Sequence, residues 1–401
     1  MTMASRTGPL TDVRVLDLTQ ALAGPYCTML LADLGADVIK IEPPTGDMSR
    51  PMGPPPPDRE GCDYGGYFAS VNRNKRSIVL DLKTDSGRDA LVKLVKTADA
   101  IVENAKTGVM DRMGIGYEVL REHNPKLVYA AVRGFGDPRT GRSPYAEWPA
   151  FDVVAQSMGG LVAVTGPIGS HGSKVGVGVG DIYPGTLAAL GVVSAIHAAR
   201  RDGVGQFLDV AMYDAILALC ETIVYTYARG GIVREPAGNG TPVLCPFDIL
   251  PTNDGVVAIA AAGENHWGLL CEAMGHRELA NDDRCRTNTR RVANAGFVRK
   301  VVGDWTKAHS TREVVEALGG KVPCGPVNSA KDIFEDPHPR ARNMLVEVEQ
   351  PGNNPPLVIA GSPIKMTATP PGIYARPPLL GEHTKEILAE VGITTSAKER
   401  S

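Results

Sequence analysis

Little in this chain of 401 residues points to metal, disulfide or cluster chemistry. Its seven cysteines, Cys27, Cys62, Cys220, Cys245, Cys271, Cys285 and Cys324, never form a Cys-x-x-Cys pair. That excludes zinc-ribbon, iron–sulfur and thioredoxin-type readings. The eight histidines are scattered without a His-Glu-x-x-His, so no metal site is expected. No run of about eighteen uninterrupted apolar residues occurs, and the first nine residues are short and polar, so neither a membrane span nor a secretory start is expected. With the odd cysteine count, this gives the expectation of a cytoplasmic protein. Aromatic residues make up only 5% of the chain, which argues against a stacking or lectin-like surface. Net charge is −3, from 42 basic and 45 acidic side chains, and 43% of residues are hydrophobic; neither a nucleic-acid partner nor disorder is expected.

Common nucleotide and hydrolase motifs are missing too. There is no Gly-x-x-x-x-Gly-Lys-Ser/Thr and no Gly-x-Ser-x-Gly. The run Gly176-Val177-Gly178-Val179-Gly180 lacks the third glycine of a dinucleotide fingerprint, and it follows a late strand rather than the first.

What is present is an alternation of short β-branched runs with amphipathic helical stretches. Strands are expected over 13–18, 36–42, 77–82, 100–102 and 127–132, with helices over 26–34 and 86–97. This is the pattern of a doubly wound parallel sheet, an α/β fold of Rossmann-like type. Residues 43–66, with four successive prolines, read as a long surface loop. A long helix is expected from 182 to 200 and another from 208 to 229. From 230 the texture changes to short strands (256–260) and helices (266–274, 296–307, 311–318), a smaller α+β domain. A strand over 344–348 and a helix over 384–391 close the chain. The expected organisation is a large domain over 1–205, a linker helix over 206–240, a small domain over 241–328, and a return segment over 329–401 that completes the large domain.

One acidic residue stands in an unusual setting. Asp181 follows three alternating glycines and is expected to open the long helix as its N-cap, with Pro184 in the first turn. A carboxylate there would be kept ionised by the helix dipole. The glycines would let a ligand approach closely. Those are the requirements of a carboxylate nucleophile.

Landmarks in order along nearly the whole chain carry a resemblance. They include Leu16-Asp17-Leu18-Thr19, Ala23-Gly24-Pro25, Leu34-Gly35-Ala36-Asp37-Val38-Ile39-Lys40-Ile41-Glu42, Asn74-Lys75-Arg76-Ser77 and Val102-Glu103-Asn104. Later ones are Gly205-Gln206, Ala211-Met212-Tyr213-Asp214-Ala215, Pro323-Cys324-Gly325-Pro326-Val327 and Leu380-Gly381-Glu382-His383-Thr384. In this order the sequence resembles the family III CoA-transferases, the group that includes formyl-CoA transferase and carnitine CoA-transferase.

The resemblance implies coenzyme A, carried as an acyl-CoA substrate, a carboxylic acid acceptor, and an interlocked homodimer. It places the family's nucleophile on Asp181, a supporting acid on Asp152, and the covering loop at Ala260-Ala261-Ala262-Gly263-Glu264, which has Gly263 as its single glycine. It implies CoA contacts at Leu22, Ala23, Leu80, Lys83, Asn104 and Arg112. Pro43 replaces a residue that is often basic in relatives, and Ala105 one that is usually aromatic. Leu22 replaces a glutamine of formyl-CoA transferase, which argues against formate and oxalate as the preferred pair. Arg73, Lys75 and Arg76 read as a solvated basic face within reach of CoA phosphates. Arg133, Arg139 and Arg142 could meet a distal carboxylate, and a small dicarboxylic acid is the expected substrate. The alternative is an acyl-CoA racemase of the same superfamily, but Phe151 stands where those enzymes carry a proton-transferring histidine.

Overall fold

The computed structural model describes residues 6–58, 63–352 and 354–394, so Cys62 lies outside the described residues. The chain divides into two compact units. The first draws on 1–161, 175–222 and 337–401; the second on 162–174 and 223–336.

In chain order the first unit holds β1 (Arg14–Asp17), α1 (Ala23–Asp33), β2 (Asp37–Glu42), α2 (Gly66–Val71), β3 (Lys75–Val79), α3 (Asp85–Val95) and β4 (Ala100–Glu103). There follow α4 (Val109–Arg112), α5 (Tyr117–His123), β5 (Val128–Arg133), α6 (Asp152–Met158) and, at the boundary, the single turn α7 (Leu161–Val164). Next come α8 (Val179–Asp202), β6 (Phe207–Ala211) and α9 (Met212–Leu219), and α10 (Glu221–Gly230) carries the chain into the second unit. All strands from β1 to β6 pair in parallel, in the order β3-β2-β1-β4-β5-β6. The doubly wound fold follows from period-two burial on both faces. Val15, Val38, Val102, Val128 and Val132 pack with α1 and α8 on one side. Leu16, Ile39, Ile78, Ile101 and Tyr129 pack with α3 on the other.

The second unit contains β7 (Phe247–Pro251), β8 (Val256–Ala260), α11 (Glu264–Ala273), α12 (Asn288–Ala293), α13 (Ala295–Lys307), α14 (Thr311–Leu318), β9 (Cys324–Pro326) and α15 (Ala330–Glu335). β7, β8 and β9 form an antiparallel sheet, and the helices cover a core around Trp267, Leu270, Val298, Val302 and Val314. The chain then returns to the first unit through α16 (Pro337–Ala341), the antiparallel pair β10 (Leu345–Val348) and β11 (Leu357–Ala360), and α17 (Thr384–Glu390). Ile387 and Leu388 of α17 complete the α3 side of the core.

Three expectations are corrected. The helix expected over 208–229, and with it the linker helix over 206–240, begins as a sheet strand. Leu208 and Val210 face the α8 side and Phe207 the other, and β6 pairs with β5 from Tyr129↔Phe207 to Arg133↔Ala211. Residues 43–66 are not wholly at the surface. Asp47, Ser49 and Arg50 are buried, and Arg50 pairs with Glu42 at 2.7 Å.

The basic cluster is not a solvated face either. Arg73 pairs with Asp33 at 2.7 Å, Lys75 with Asp17 at 2.9 Å, and Arg76 with Asp37 at 2.8 Å, all with buried cations. Desolvating a guanidinium or ammonium is tolerable only with such partners, so these side chains are committed to the fold rather than to phosphates. Among the described residues, only α8 is long and apolar enough to cross a membrane, and here it packs on α1 and the sheet.

Candidate active site

The strand order reverses between β1 and β4, and ligands of such sheets bind beyond the carboxyl ends of the strands at that point. The loop after β1 is built tightly there. Asp17 accepts from the Thr19 N–H at 2.9 Å, and Lys40 donates to the Thr19 carbonyl at 2.9 Å while pairing with Asp47 at 2.8 Å. Ala21 has φ = 66°, a left-handed conformation that a residue with a Cβ rarely adopts. Asp47 holds it by accepting the Ala21 N–H at 3.2 Å. From the other side, the Asn104 amide bonds both backbone groups of Gln20, accepting its N–H at 2.9 Å and donating to its carbonyl at 2.8 Å. Asn104 thus shapes the loop that presents Leu22 and Ala23, the first residues at α1.

α8 enters the same region. It starts at Val179, with Gly178 as N-cap and no side-chain cap from its own segment. Asp181 is therefore third in the helix rather than its cap, and Pro184 falls in the second turn. The capping comes from α6 instead: Asp152 accepts the Gly180 N–H at 2.8 Å. Gly180 and Gly185 are filled by protein rather than left for a ligand, whereas a Cβ on Gly176 would meet nothing within 4 Å. A Cβ on Gly180 would sit 2.6 Å from the Asp152 carbonyl oxygen, and one on Gly185 would fall on the carbonyl oxygen of Ala23. They let α8 seat against α6 and α1, which sets where Asp181 points.

Asp181 is half-buried and lines a cavity of about 390 Å³. Its carboxyl is pushed up to about 6, first by burial and then by the charge of Asp152. The expected stabilisation of the charge by the helix dipole is outweighed, although the group remains mostly ionised at neutral pH.

The cavity brings together Leu22, Ala23, Asn104 and Asp181 from the sequence reading, with Asp152 directly behind Gly180. Leu80 lies in the core beside α3, Lys83 is exposed in the turn before α3, and Arg112 is exposed at the end of α4; none of the three lines this cavity. Of the three arginines considered for a distal carboxylate, only Arg133 reaches the wall, and it is paired with Glu103 and Asp137. Arg139 is held by Asp111 at 2.6 Å. Gly263 belongs to the second unit, as N-cap of α11; a Cβ there would meet His266 Nδ1 at an ordinary 3.7 Å. The adjoining Ala262 carbonyl accepts from the buried Arg291, which ties down the single-glycine loop.

The sequence reading missed an aromatic wall. Trp148 (55% exposed) and Phe151 (62% exposed) line the cavity, and Trp148 stands 4.7 Å from the Tyr145 ring and 6.3 Å from Phe135. A low average content of aromatics says nothing about where they cluster. The spacing of Phe135, Tyr145, Trp148 and Phe151 within one connection was the available signal. Among the described residues no group of histidine, cysteine and carboxylate side chains could hold a metal.

Residues 10–384 match the sequence profile of CoA-transferase family III. The chain belongs to this family. This CoA-transferase is 49% identical over 388 residues to a succinyl-CoA:mesaconate CoA-transferase of Haloarcula hispanica, covering 97% of this chain and 98% of that one. It is 37% identical over 401 residues to a succinate–glutarate CoA-transferase of Agrobacterium fabrum, covering 97% of each. A solved CAIB/BAIF family protein from Brucella suis superposes with a TM-score of 0.85 at 35% identity, over 96% of this chain and 100% of that one.

Proposed function

We propose that this CoA-transferase moves CoA from succinyl-CoA to a short dicarboxylic acid of the mesaconate type, with Asp181 as the covalent acceptor. The observation that carries the proposal is the placement of the Asp181 carboxylate, half-buried on the wall of a cavity at the sheet's switch point. The choice of acids rests on the 49% identity to succinyl-CoA:mesaconate CoA-transferase.

In the first step an Asp181 oxygen attacks the thioester carbonyl. The C–S bond breaks, CoA leaves as thiolate, and an aspartyl–acyl anhydride remains. The thiolate then attacks the Asp181 carbonyl carbon, releasing the donor acid and leaving an aspartyl–CoA thioester. The acceptor carboxylate displaces CoA to form a second anhydride. Return of the thiolate to the acceptor's acyl carbon gives the new acyl-CoA and regenerates Asp181. No oxidant, metal or net proton is needed.

Leu22, Ala23 and Asn104 are assigned to the acyl-thioester end of CoA and Asp152 to support of Asp181. Leu80, Lys83 and Arg112 are assigned to parts of CoA beyond this cavity. Phe151 has no titratable proton to exchange, which disfavours a racemase. Homodimerisation and a cytoplasmic location belong to the same proposal, supported by the resemblance and by the six described cysteines, all of them free.

A screen with succinyl-CoA as donor and mesaconate, glutarate, oxalate, formate and acetate as acceptors tests the substrate assignment. Mesaconate is expected to give the highest kcat/KM, and transfer only to monocarboxylates would overturn it. The raised carboxyl also predicts a pH profile. Only ionised Asp181 attacks, so kcat/KM should fall about tenfold per unit as pH drops below about 6. An acid limb nearer the ordinary carboxylate range would contradict the buried setting of this group.

A further inference from the structure

Gln156 has no place in the chemistry above, yet it is completely buried, and both ends of its amide are used. Its Nε2 donates to both Asp152 oxygens, at 2.8 and 3.0 Å, while its Oε1 accepts the Val175 N–H at 2.9 Å. The amide orientation is dictated by its neighbours: a backbone N–H needs the oxygen and a carboxylate needs the NH₂. Gln156 stands four residues after Asp152 on α6, so the two side chains share one helix face. Asp152 in turn accepts from Gly180, the residue before Asp181. One continuous chain of bonds therefore runs from Val175 N–H through Gln156 and Asp152 to Gly180 N–H. It fastens both ends of the segment leading into α8.

We infer that Gln156 is a positioning residue for Asp181, acting through Asp152: it fixes the Asp152 carboxylate at the first turn of α8, beside the nucleophile. The inference rests on the reading of Asp181 as nucleophile. The charged and titratable groups around Asp181 are few. Asp152 comes from α6 and Tyr67 from α2, both interacting with it electrostatically. Arg133 at the end of β5 and Lys106 after β4 share the cavity. α1 and α9 contribute Ala23 and Met212 to that cavity and no charge. Burial raises the Asp181 carboxyl first and the charge of Asp152 second, so whatever fixes the distance between the two carboxylates also tunes Asp181.

Without the Gln156 NH₂, Asp152 loses two donated bonds and is freer to turn away from Asp181. Its repulsion of Asp181 then weakens, while the first turn of α8 loses an anchor. Gln156→Leu is therefore expected to move the acid limb of kcat/KM down by at least about half a pH unit. It should also lower kcat roughly tenfold, with KM for succinyl-CoA nearly unchanged. Asp152→Asn should move the limb the same way, and the double variant should move it no further. If Gln156→Leu does not fold, Gln156→Asn, whose amide is too short to span Asp152 and Val175, tests the same link.

Infrared titration of isotope-labelled aspartate, with Asp181→Asn for assignment, reads the Asp181 carboxyl without any turnover. An unmoved Asp181 titration in the Gln156 variant overturns the inference even if Asp181 is the nucleophile. So does an additive limb shift in the double variant. Full activity in Asp181→Asn would instead remove the nucleophile reading, and would be seen separately from the titration.

Discussion

Replacing Asp181 with asparagine should lower CoA exchange between succinyl-CoA and its acceptor by roughly four orders of magnitude or more. The carboxamide keeps the shape of the carboxylate but cannot form the anhydride. Little else changes, because Asp152 grips the backbone N–H of Gly180 rather than the Asp181 side chain. The variant should also be more stable than the parent at alkaline pH, which separates lost chemistry from lost structure. A carboxyl raised to about 6 from its ordinary 3.8 makes the ionised form unfavourable in the fold. That cost is absent below the unfolded value, grows between the two, and is complete above about 6. Asp181→Asn should therefore melt higher than the parent at about pH 8 and equally at about pH 3. A second readout is the fate of oxygen. When the acceptor acid carries heavy oxygen in its carboxylate, the anhydride route leaves one labelled atom on Asp181, detectable in its peptide by mass spectrometry. An unlabelled Asp181 after many turnovers, or near-normal exchange in the asparagine variant, would end the covalent mechanism.

Much of the framework was legible because it is written locally. The runs 13–18 and 36–42 are rich in valine and isoleucine, the second is bounded by Gly35 and Pro43, and the helix between them leaves only a parallel crossover. What escaped was either short or distant. β6 has five residues and passes directly into α9 with no turn residue between them, so periodicity alone could not divide them. The start of α8 was misplaced because its cap is supplied by Asp152, 28 residues earlier in the chain. Arg73, Lys75 and Arg76 looked solvated for the same reason. Their carboxylate partners, Asp33, Asp17 and Asp37, lie about forty to sixty residues away, and charge pairing over such separations leaves no local pattern. The candidate nucleophile was found through family resemblance. Its electrostatic setting was not visible, because burial is a property of the assembled fold.

The second large effect concerns that hidden framework. Lys75 and Asp17 are both fully buried and 2.9 Å apart at the carboxyl end of β1, directly below the Thr19–Leu22 loop. Asp17 also accepts from Thr28 Oγ1 at 2.7 Å, and Lys75 donates to the Pro25 carbonyl at 3.0 Å and to Asn72 at 2.8 Å. Burial by itself would raise the Asp17 carboxyl, but Lys75 and Lys40 outweigh it and hold it at about 2. Lys75→Met removes a cation of similar length and leaves a buried carboxylate short of compensation. The expected cost is about 3–5 kcal/mol, a fall in Tm of roughly 4–6 °C for a chain of this size. Adding Asp17→Asn should recover more than half of that, since the stranded charge is then gone. The pH dependence has a definite sign. A carboxyl depressed in the fold contributes stability above its unfolded value and loses it as pH falls toward about 2. In Lys75→Met the depression is lifted, so parent and variant should converge in Tm on acidification. Equal Tm values for parent and Lys75→Met at neutral pH would mean that the pair contributes nothing. A double variant no more stable than the single one would place the cost in lost packing around the lysine stem, not in the uncompensated charge.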